Sequence, residues 1–411
     1  MKRTGWVTSL LLIAASGSAC REVINHYYYY YDCDSGRAEC PPCDTGTLPQ
    51  DSPVGSESDT PVDTGDSSPE DTGDAGDTGD TGVLQTEGSV PLIFYVQDAE
   101  YDPWNELLVA VSVHPGDTLH VIDPEAGTTA SIPLDLDPIS VSVAPGGGYA
   151  VVGHDGWISH VDLLGGEVLD LFAVTASAFD IVAGGNGWAY VLPEDGGHED
   201  IRCIDLLSGD EHLHTGSSVR QQTRAKIHPD GDRIYGADNG VSPDDIERYD
   251  IGDGVAVYHD NSPYHGDYEF NGDLWMLEHG AYLVAHSGNA FWTTDDDATD
   301  MTYAGSLAPL TAVRWLDSSE ERGRVYALDS NDATVVHSFD ATYLNYQGNA
   351  DLPPLVVDEG GDDDGSYPVD PFWLFTRGDG QGVYLLGELS DGGPGGTYPW
   401  AVITMASDDL P

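Results

Sequence analysis

The sequence predicts an all-β fold built from similar four-stranded units, because one pattern recurs along residues 98–411 and helical patterns are nearly absent. Each unit of about forty to forty-five residues holds two strands joined by a Gly-rich turn, then a polar turn and a third strand that ends on aspartate. The closing residues lie 39, 43, 45, 45 and 45 positions apart and are Asp123, Asp162, Asp205, Asp250, Asp295 and Asp340. Such regular spacing is typical of repeated blades of sheet.

The residues around each closing aspartate support the strand assignment. The positions one and four residues before it are mostly apolar, whereas the position three residues before it is largely polar. A strand packed between two neighbouring blades shows this pattern. A fourth strand follows the aspartate after a short turn, as residues 167–174 illustrate.

The ends of the repeat array predict how it closes. Six units are complete, but the seventh, in residues 372–405, has no fourth strand after it. The apolar stretch at residues 89–96 precedes the first unit and can supply that strand. We therefore expect residues 89–411 to form a seven-bladed β-propeller of four-stranded blades that is closed by an N-terminal strand, which removes open sheet edges.

One unit also resembles known repeats. Residues 118–152, TLHVIDPEAGTTASIPLDLDPISVSVAPGGGYAVV, have a short closing strand, a proline before the inner strand and a Pro-Gly turn. They resemble a unit of the YVTN and WD40 types of seven-bladed propeller, although the Gly-His and Trp-Asp dipeptides of WD40 repeats are missing. The resemblance covers about four fifths of the chain and concerns architecture, because one fold hosts many activities.

The N-terminal residues 1–19 have the layout of an export signal, with a basic start and an apolar run that is too short to span a membrane. Small residues followed directly by Cys20 resemble a bacterial lipobox, which implies lipid attachment at that thiol. Gly17 stands where the family usually has leucine, so ordinary cleavage after Ala19 stays open. We expect an outer-membrane lipoprotein that faces the periplasm or the cell exterior.

Residues 20–43 form a segment rich in cysteine and tyrosine between the signal and the rest of the chain. In an exported protein the default interpretation of cysteine is a disulfide, so Cys33 is expected to pair with Cys40 or Cys43. The Cys-Pro-Pro-Cys spacing resembles a redox pair, but no βαβ pattern surrounds it. A small disulfide loop is therefore favoured over redox chemistry.

Residues 44–88 are predicted to be an acidic, disordered stalk. Asp-Thr-Gly triplets alternate with serine and proline there, and almost nothing is apolar, so this segment cannot build a core. As a flexible coil, residues 45–82 would span roughly 35 Å. The stalk is expected to hold the propeller away from the membrane.

The net charge of −58, from 72 acidic and 14 basic residues, restricts the partners. Nucleic acid and anionic lipid headgroups are disfavoured, because Coulomb repulsion replaces counterion release. We expect contact with the membrane only through the lipid anchor. We expect the propeller to be a monomer whose partner is an envelope protein or glycan. Ca²⁺ is the candidate cofactor, because a strongly negative chain attracts divalent cations.

Two groups of side chains are candidate metal ligands. The first group is an oxygen-rich, Gly-spaced loop that could bind calcium with modest affinity, although a solvated acidic loop explains it as well. This acidic loop contains Asp358, Glu359, Asp362, Asp363 and Asp364. The second group, the top-face ring, recurs in the loops between second and third strands and contains His114, His154, Asp238, His286 and Asp329. Ligands about 2 Å from one metal cannot come from five separate blades, so turn geometry is the favoured explanation of the ring.

The sequence contains no motif that places a nucleophile beside its base. G-x-S-x-G, H-E-x-x-H and P-loop patterns are all missing. Some YVTN-like propellers are lactonases, so the resemblance leaves a surface hydrolase of lactones or carbohydrates as the alternative function. That alternative would gain support if His154, His286 and Arg224 converged on one cavity. We favour a binding or scaffolding module of the cell envelope.

Overall fold

The computed structural model describes residues 20–24, 27–31, 89–239, 241–357 and 365–411. Two short strands, β1 (Cys20–Ile24) and β2 (Tyr27–Tyr31), pair antiparallel in a unit separate from the one that holds residues 89–411. Among the described residues, no helix has the length and apolar character needed to cross a membrane. The predicted signal, disulfide cysteines, stalk and acidic loop lie outside the described residues.

Residues 89–411 fold as an all-β propeller, in which sheets form a ring. The strand before the first repeat is β3 (Ser89–Leu92). The first four-stranded sheet contains β4 (Asp98–Asp102), β5 (Leu107–Ser112), β6 (Thr118–Asp123) and β7 (Thr128–Pro133). A six-stranded sheet follows, with β8 (Ser140–Val143), β9 (Tyr149–Asp162), β10 (Glu167–Ala183), β11 (Trp188–Pro193), β13 (Arg202–Asp205) and β14 (Glu211–Leu213). Beside it, β12 (His198–Glu199) pairs with β15 (Val219–Arg220).

The remaining sheets complete the ring. The next sheet contains β16 (Arg224–Ile227), β17 (Arg233–Ala237), β18 (Ile246–Asp250) and β19 (Val257–Asn261). The one after it contains β20 (Leu274–Met276), β21 (Tyr282–Ala285), β22 (Asn289–Trp292) and β23 (Tyr303–Ser306). Then come β24 (Val313–Ser319), β25 (Arg324–Asp329), β26 (Asp332–Asp340) and β27 (Tyr346–Asp351). A two-stranded sheet of β28 (Leu355–Val357) and β29 (Gly365–Tyr367) precedes β30 (Val369–Thr376), β31 (Gly382–Leu389) and β32 (Trp400–Ala406).

The C-terminal sheet includes a strand from the other end of the repeat array. Its order is β3-β32-β31-β30, and the register of β3 against β32 runs from Ser89↔Ile403 to Leu92↔Trp400. The helical segments of the described residues are three 3₁₀ turns, at Ser390–Gly392, Pro394–Gly396 and Ser407–Asp409.

The described residues contain six sheets of four or more strands, whereas the sequence predicts seven blades. The difference comes from two long strands, β9 with 14 residues and β10 with 17. The first part of β10 pairs with β9, as in Glu167↔Asp162, and its last part pairs with β11, as in Ala183↔Ala189. Because β10 continues from the predicted fourth strand at residues 167–174 into the first strand of the next unit, two repeat units share one hydrogen-bonded sheet. Seven separate sheets are therefore not found among the described residues.

The hydrophobic core lies between neighbouring repeat units. In each cluster of buried apolar residues, side chains from one unit pack against those of the next. For example, Val109 of β5 and Val152 of β9 belong to the same cluster. Apolar side chains on both faces of each sheet are buried in this way, which explains the apolar positions found before every closing aspartate.

The recurring aspartates hold the turn after the third strand. The Asp162 carboxylate accepts the backbone N–H groups of Leu164 and Gly165, and the same local pattern recurs at Asp123, Asp205 and Asp340. Aspartate favours such turns because its short side chain can replace a backbone acceptor. The repeat of aspartate is therefore explained by local turn structure.

Candidate functional site

A cavity of about 320 Å³ is lined by the inner strands of the ring, β4, β8, β10, β16, β20, β24 and β30. We call it the axial cavity. Its lining mixes apolar side chains with charged ones, and the charged ones are Glu100, Lys226, Glu278, Asp317, Glu321 and Arg377. The wall therefore combines apolar surface with groups that can form hydrogen bonds and ion pairs with a ligand.

At least two residues of each inner strand line the axial cavity. The third residues of four inner strands all do so: Glu100 in β4, Ser142 in β8, Lys226 in β16 and Trp315 in β24. Alternate residues of a strand face the same side, so the first and third residues share a direction. The ring thereby brings together residues that lie more than two hundred positions apart in sequence.

Carboxylates tie adjacent inner strands to one another. The backbone N–H of Val141 donates to Asp98 at 2.8 Å, and that of Ala225 donates to Asp180 at 2.8 Å. Asp317 accepts both the N–H and the hydroxyl of Thr376, at 2.8 and 3.0 Å. Hydrogen bonds to a charged acceptor are stronger than hydrogen bonds between neutral groups, so these links stiffen the ring of inner strands.

Burial changes the protonation of these carboxylates. Removal from water raises the pKa of Asp98 to about 7, against the opposing effect of the Arg224 guanidinium. Burial also raises the pKa of Asp317 to about 6, although hydrogen bonds from Thr376 oppose this. The same cause raises the pKa of Asp180. Asp98 and Asp317 are therefore acids that take up protons close to neutral pH.

Lys226 is the central cation of the axial cavity. Its Nζ lies 3.1 Å from Glu100 Oε1 and 5.5 Å from the centroid of the Trp315 ring. Burial lowers the pKa of Lys226, but the negative charges of Glu100, Asp273 and two further carboxylates outweigh this effect and raise the pKa above its usual value. Lys226 is therefore an ammonium at physiological pH, held between a carboxylate and an aromatic face.

Trp275 lines the axial cavity, and its indole nitrogen is a buried donor without a partner among the described residues. Its side chain is 4% exposed. The ring packs edge-on to Trp315, with centroids 5.9 Å apart and an interplanar angle of 74°. A buried donor without a partner costs about 1–3 kcal/mol, so most native structures avoid one.

The structure does not bring the top-face ring together. His114 is exposed in the turn after β5, and His286 follows β21, where its backbone bonds to Asp273. His154 is buried, with Nδ1 2.9 Å from the Asp137 carbonyl and Nε2 2.8 Å from Ser159 Oγ. Each side chain thus belongs to its own local turn or strand.

The two acidic members of the top-face ring also have local roles. Asp238 is buried and lies 3.4 Å from the Thr223 hydroxyl, and its burial raises its pKa to about 6. Asp329 accepts the backbone N–H of Asn331 at 2.8 Å. Neither lines the axial cavity, and His154, His286 and Arg224 do not line it either. The convergence that would have supported a hydrolase is not found.

A different group, His228, Asp230 and Asp232, is the one in the described part of the chain whose potential metal ligands all lie within 4.8 Å of one another. Arg233 already occupies the position of a cation there, 3.3 Å from Asp230 and 3.7 Å from Asp232. Both ring nitrogens of His228 are also engaged, one by the Gly280 carbonyl and one by the Asp230 N–H. This group is an ion-pair network of the turn between β16 and β17.

Comparisons with known proteins identify the fold of this chain but not its family or activity. No protein-family model matches the sequence, and no curated protein matches it. A solved structure of hydrazine synthase from Kuenenia stuttgartiensis is similar, with a TM-score of 0.55 and 13% sequence identity over 78% of this chain and 97% of that one. The chain is thus a β-propeller protein, since a similarity at this level of identity concerns architecture alone.

Proposed function

We propose that the chain is an exported, lipid-anchored β-propeller that serves as a binding module of the bacterial cell envelope, with the axial cavity as its ligand site. The observation that carries this proposal is the axial cavity itself, in which Lys226 Nζ lies 3.1 Å from Glu100 Oε1 and 5.5 Å from the centroid of the Trp315 ring. A ligand that carries both acceptors and donors would bind the remaining N–H groups of Lys226 and the lone pairs of Glu100.

Binding is favoured over catalysis by the composition of the cavity wall. A hydrolytic mechanism needs a base, an acid and an oxyanion donor around one reacting atom. Of the residues that the structure describes, no histidine or cysteine lines the axial cavity. Its lysine is held as an ammonium by neighbouring carboxylates, so it is a poor base.

The ring is proposed to contain seven units that β3 closes. Within the described chain, seven clusters of buried apolar residues each join two neighbouring units. One of them combines Leu92 with Trp400 of the last unit and Leu108 of the first. A closed ring has as many interfaces as units, so seven interfaces support seven units, with the two inside the six-stranded sheet counted separately.

Export and lipid attachment are proposed from the sequence of residues 1–20, and the Asp-Thr-Gly segment from its composition as a tether. Radiolabelled palmitate supplied to the producing bacterium should be incorporated at Cys20, and a Cys20→Ser variant should move from the membrane fraction to the soluble fraction. An unlabelled wild-type protein that fractionates with its variant would refute lipid attachment.

The binding function can be tested with the full-length chain carrying Cys20→Ser. The purified protein is dialysed against the low-mass fraction of an envelope extract, and retained compounds are identified by native mass spectrometry. Met276 is half-buried and lines the cavity, so Met276→Trp should fill the space and abolish retention. Urea unfolding checks that this variant is folded. Retention of nothing, or equal retention by both proteins, would overturn the proposal.

A further inference from the structure

We propose that a groove between the first two repeat units binds an extended cationic peptide of a partner protein, which adds a strand to the outer edge of β7. We call this second site the edge groove. It has a volume of about 320 Å³ and shares no lining residue with the axial cavity. Its lining includes Ile132, Pro133 and Asp135 of the first unit and Glu167, Val168 and Leu171 of the second.

The edge groove lies beside two strands that have an open edge. Among the described residues, β7 pairs with β6 alone, and residues 167–177 of β10 pair with β9 alone. An open edge presents N–H and C=O groups that a further strand can bind. β7 contains no charged residue, unlike the outermost strands β14, β19 and β27, and its proline is its last residue. The edge of β7 therefore lacks the charges that commonly prevent strand addition.

A strand added to β7 would place every second side chain in the edge groove. Ile132 of β7 is buried in the core cluster between the first two units, so its side chain faces the second unit. Side chains beside it on an added strand face the same way, because neighbouring strands of a sheet share their faces. On the opposite wall Val168 is half-buried and Leu171 is 36% exposed. These three residues form an apolar centre that apolar side chains of a peptide can fill.

The charge of the edge groove selects a cationic peptide. β7 and the first part of β10 are the fourth strands of consecutive units and run in the same direction along the groove. Glu167 begins β10, and Asp135 comes two residues after the end of β7, so the two carboxylates lie towards opposite ends of the groove. A basic residue at each end of the peptide would meet a carboxylate.

The surroundings of the edge groove strengthen this preference. Residues 128–137 and 159–173, which contain its walls, have five acidic residues, and no lysine or arginine occurs in residues 89–201. An acidic segment, including the Asp-Thr-Gly segment of this chain, would be repelled. The favoured occupant therefore has apolar residues at alternate positions and a basic residue at each end.

The test uses the full chain with Cys20→Ser and a synthetic peptide, Arg-Thr-Leu-Thr-Leu-Thr-Arg, with both ends blocked. When this peptide is extended, its arginines are about 20 Å apart and lie on the same face as its leucines. Calorimetry should detect binding that weakens as salt is added. Glutamate in place of both arginines, or serine in place of both leucines, should weaken binding about tenfold or more.

Two variants with the same change of charge assign the binding to the edge groove. Leu171→Lys places an ammonium in the apolar centre and should lower the affinity for the arginine peptide about tenfold or more. Leu213→Lys is the matched control, since Leu213 is 48% exposed in the outermost strand β14 and does not line the groove. It should bind the peptide like the parent, and urea unfolding checks that both variants are folded.

N-methylation of the peptide tests whether a strand is added. In an extended peptide the N–H groups of the leucines and those of the threonines point to opposite edges, so methylation of one set blocks the edge that pairs with β7. At least one of the two methylated peptides should bind about tenfold or more weakly. If both bind like the unmethylated peptide, no strand is added to β7 and the proposal is wrong.

Other results would also overturn the proposal. These are no detectable binding of the arginine peptide, equal binding of the arginine and glutamate peptides, or equal affinity in Leu171→Lys and Leu213→Lys. Sedimentation velocity of the protein alone tests for a second copy as the occupant. A dimer that Leu171→Lys abolishes would assign the edge of β7 to self-association instead of a peptide.

Discussion

The closure of the ring by β3 makes a sharp prediction about two adjacent residues. Leu92 lies in β3 opposite Trp400 and is 2% exposed, whereas Ile93, the next residue, is 62% exposed. We expect Leu92→Ala to destabilise the propeller strongly and Ile93→Ala to leave its stability almost unchanged. The two substitutions remove apolar groups of equal size from the same segment, so each is the control for the other.

The expected magnitudes follow from burial. Truncation of a fully buried leucine to alanine costs about 2–5 kcal/mol, because the lost transfer free energy adds to the cost of the cavity left behind. Substitution of an exposed side chain usually changes the free energy of unfolding by about 0.5 kcal/mol or less. Since the total stability of a domain is about 5–15 kcal/mol, Leu92→Ala should remove a large fraction of it.

Equilibrium unfolding in urea, followed by tryptophan fluorescence, measures both effects. Trp400 is buried opposite β3 and is one of the nine tryptophans that contribute to this signal. Leu92→Ala should lower the midpoint without changing the slope, which would show that the same cooperative unit unfolds. If the two variants unfold at the same midpoint, β3 does not complete the last unit and the reasoning about closure is refuted.

Three further predictions concern charge and turns. Burial raises the pKa of Asp98 to about 7, so between about pH 4 and pH 7 the folded state retains a proton that the unfolded state has lost. The free energy of unfolding should therefore fall as the pH rises through this range. Asp98→Asn should flatten that fall in urea titrations, and an unchanged profile would show that Asp98 is ionised throughout. Because the net charge is −58, the melting temperature should rise from low salt to about 1 M NaCl, and a flat response would contradict charge repulsion as a destabilising force. Asp162→Ala removes acceptors for two backbone N–H groups and should cost about 1 kcal/mol in urea unfolding, whereas no loss would remove the structural explanation of the recurring aspartate.

The repeat pattern predicts the strands well because it is a local property. Every closing aspartate ends a third strand or follows its last apolar residues. At four of the six, the turn that follows is held by hydrogen bonds from backbone N–H groups two or three residues further on to the aspartate carboxylate. The merging of two units into one sheet could not be predicted in this way. Whether β9 and β10 bend or break at a turn depends on hydrogen bonds across the unit boundary, which the repeat length does not encode.

The axial cavity was harder to predict than the fold. Lys226 and Trp275 each lie in an inner strand whose neighbours are apolar, so each resembles one more position of a packed strand. Their proximity arises from the ring, which brings the inner strands β16 and β20 side by side around the axial cavity. One signal was available, since Lys226 is the single lysine of the chain beyond Lys2 and lies in an inner strand. A cation in that place implies nearby carboxylates, because an unpaired buried charge is costly.

The pairing of β3 with β32 also determines when the molecule can become complete. Leu92 and Trp400 are more than three hundred residues apart, so their contact requires a very large loop to close. During synthesis β3 emerges long before its partner strand exists, and folding of the ring must wait for the last segment. A chain with this order of assembly can close its ring only after residues 400–406 have been synthesised.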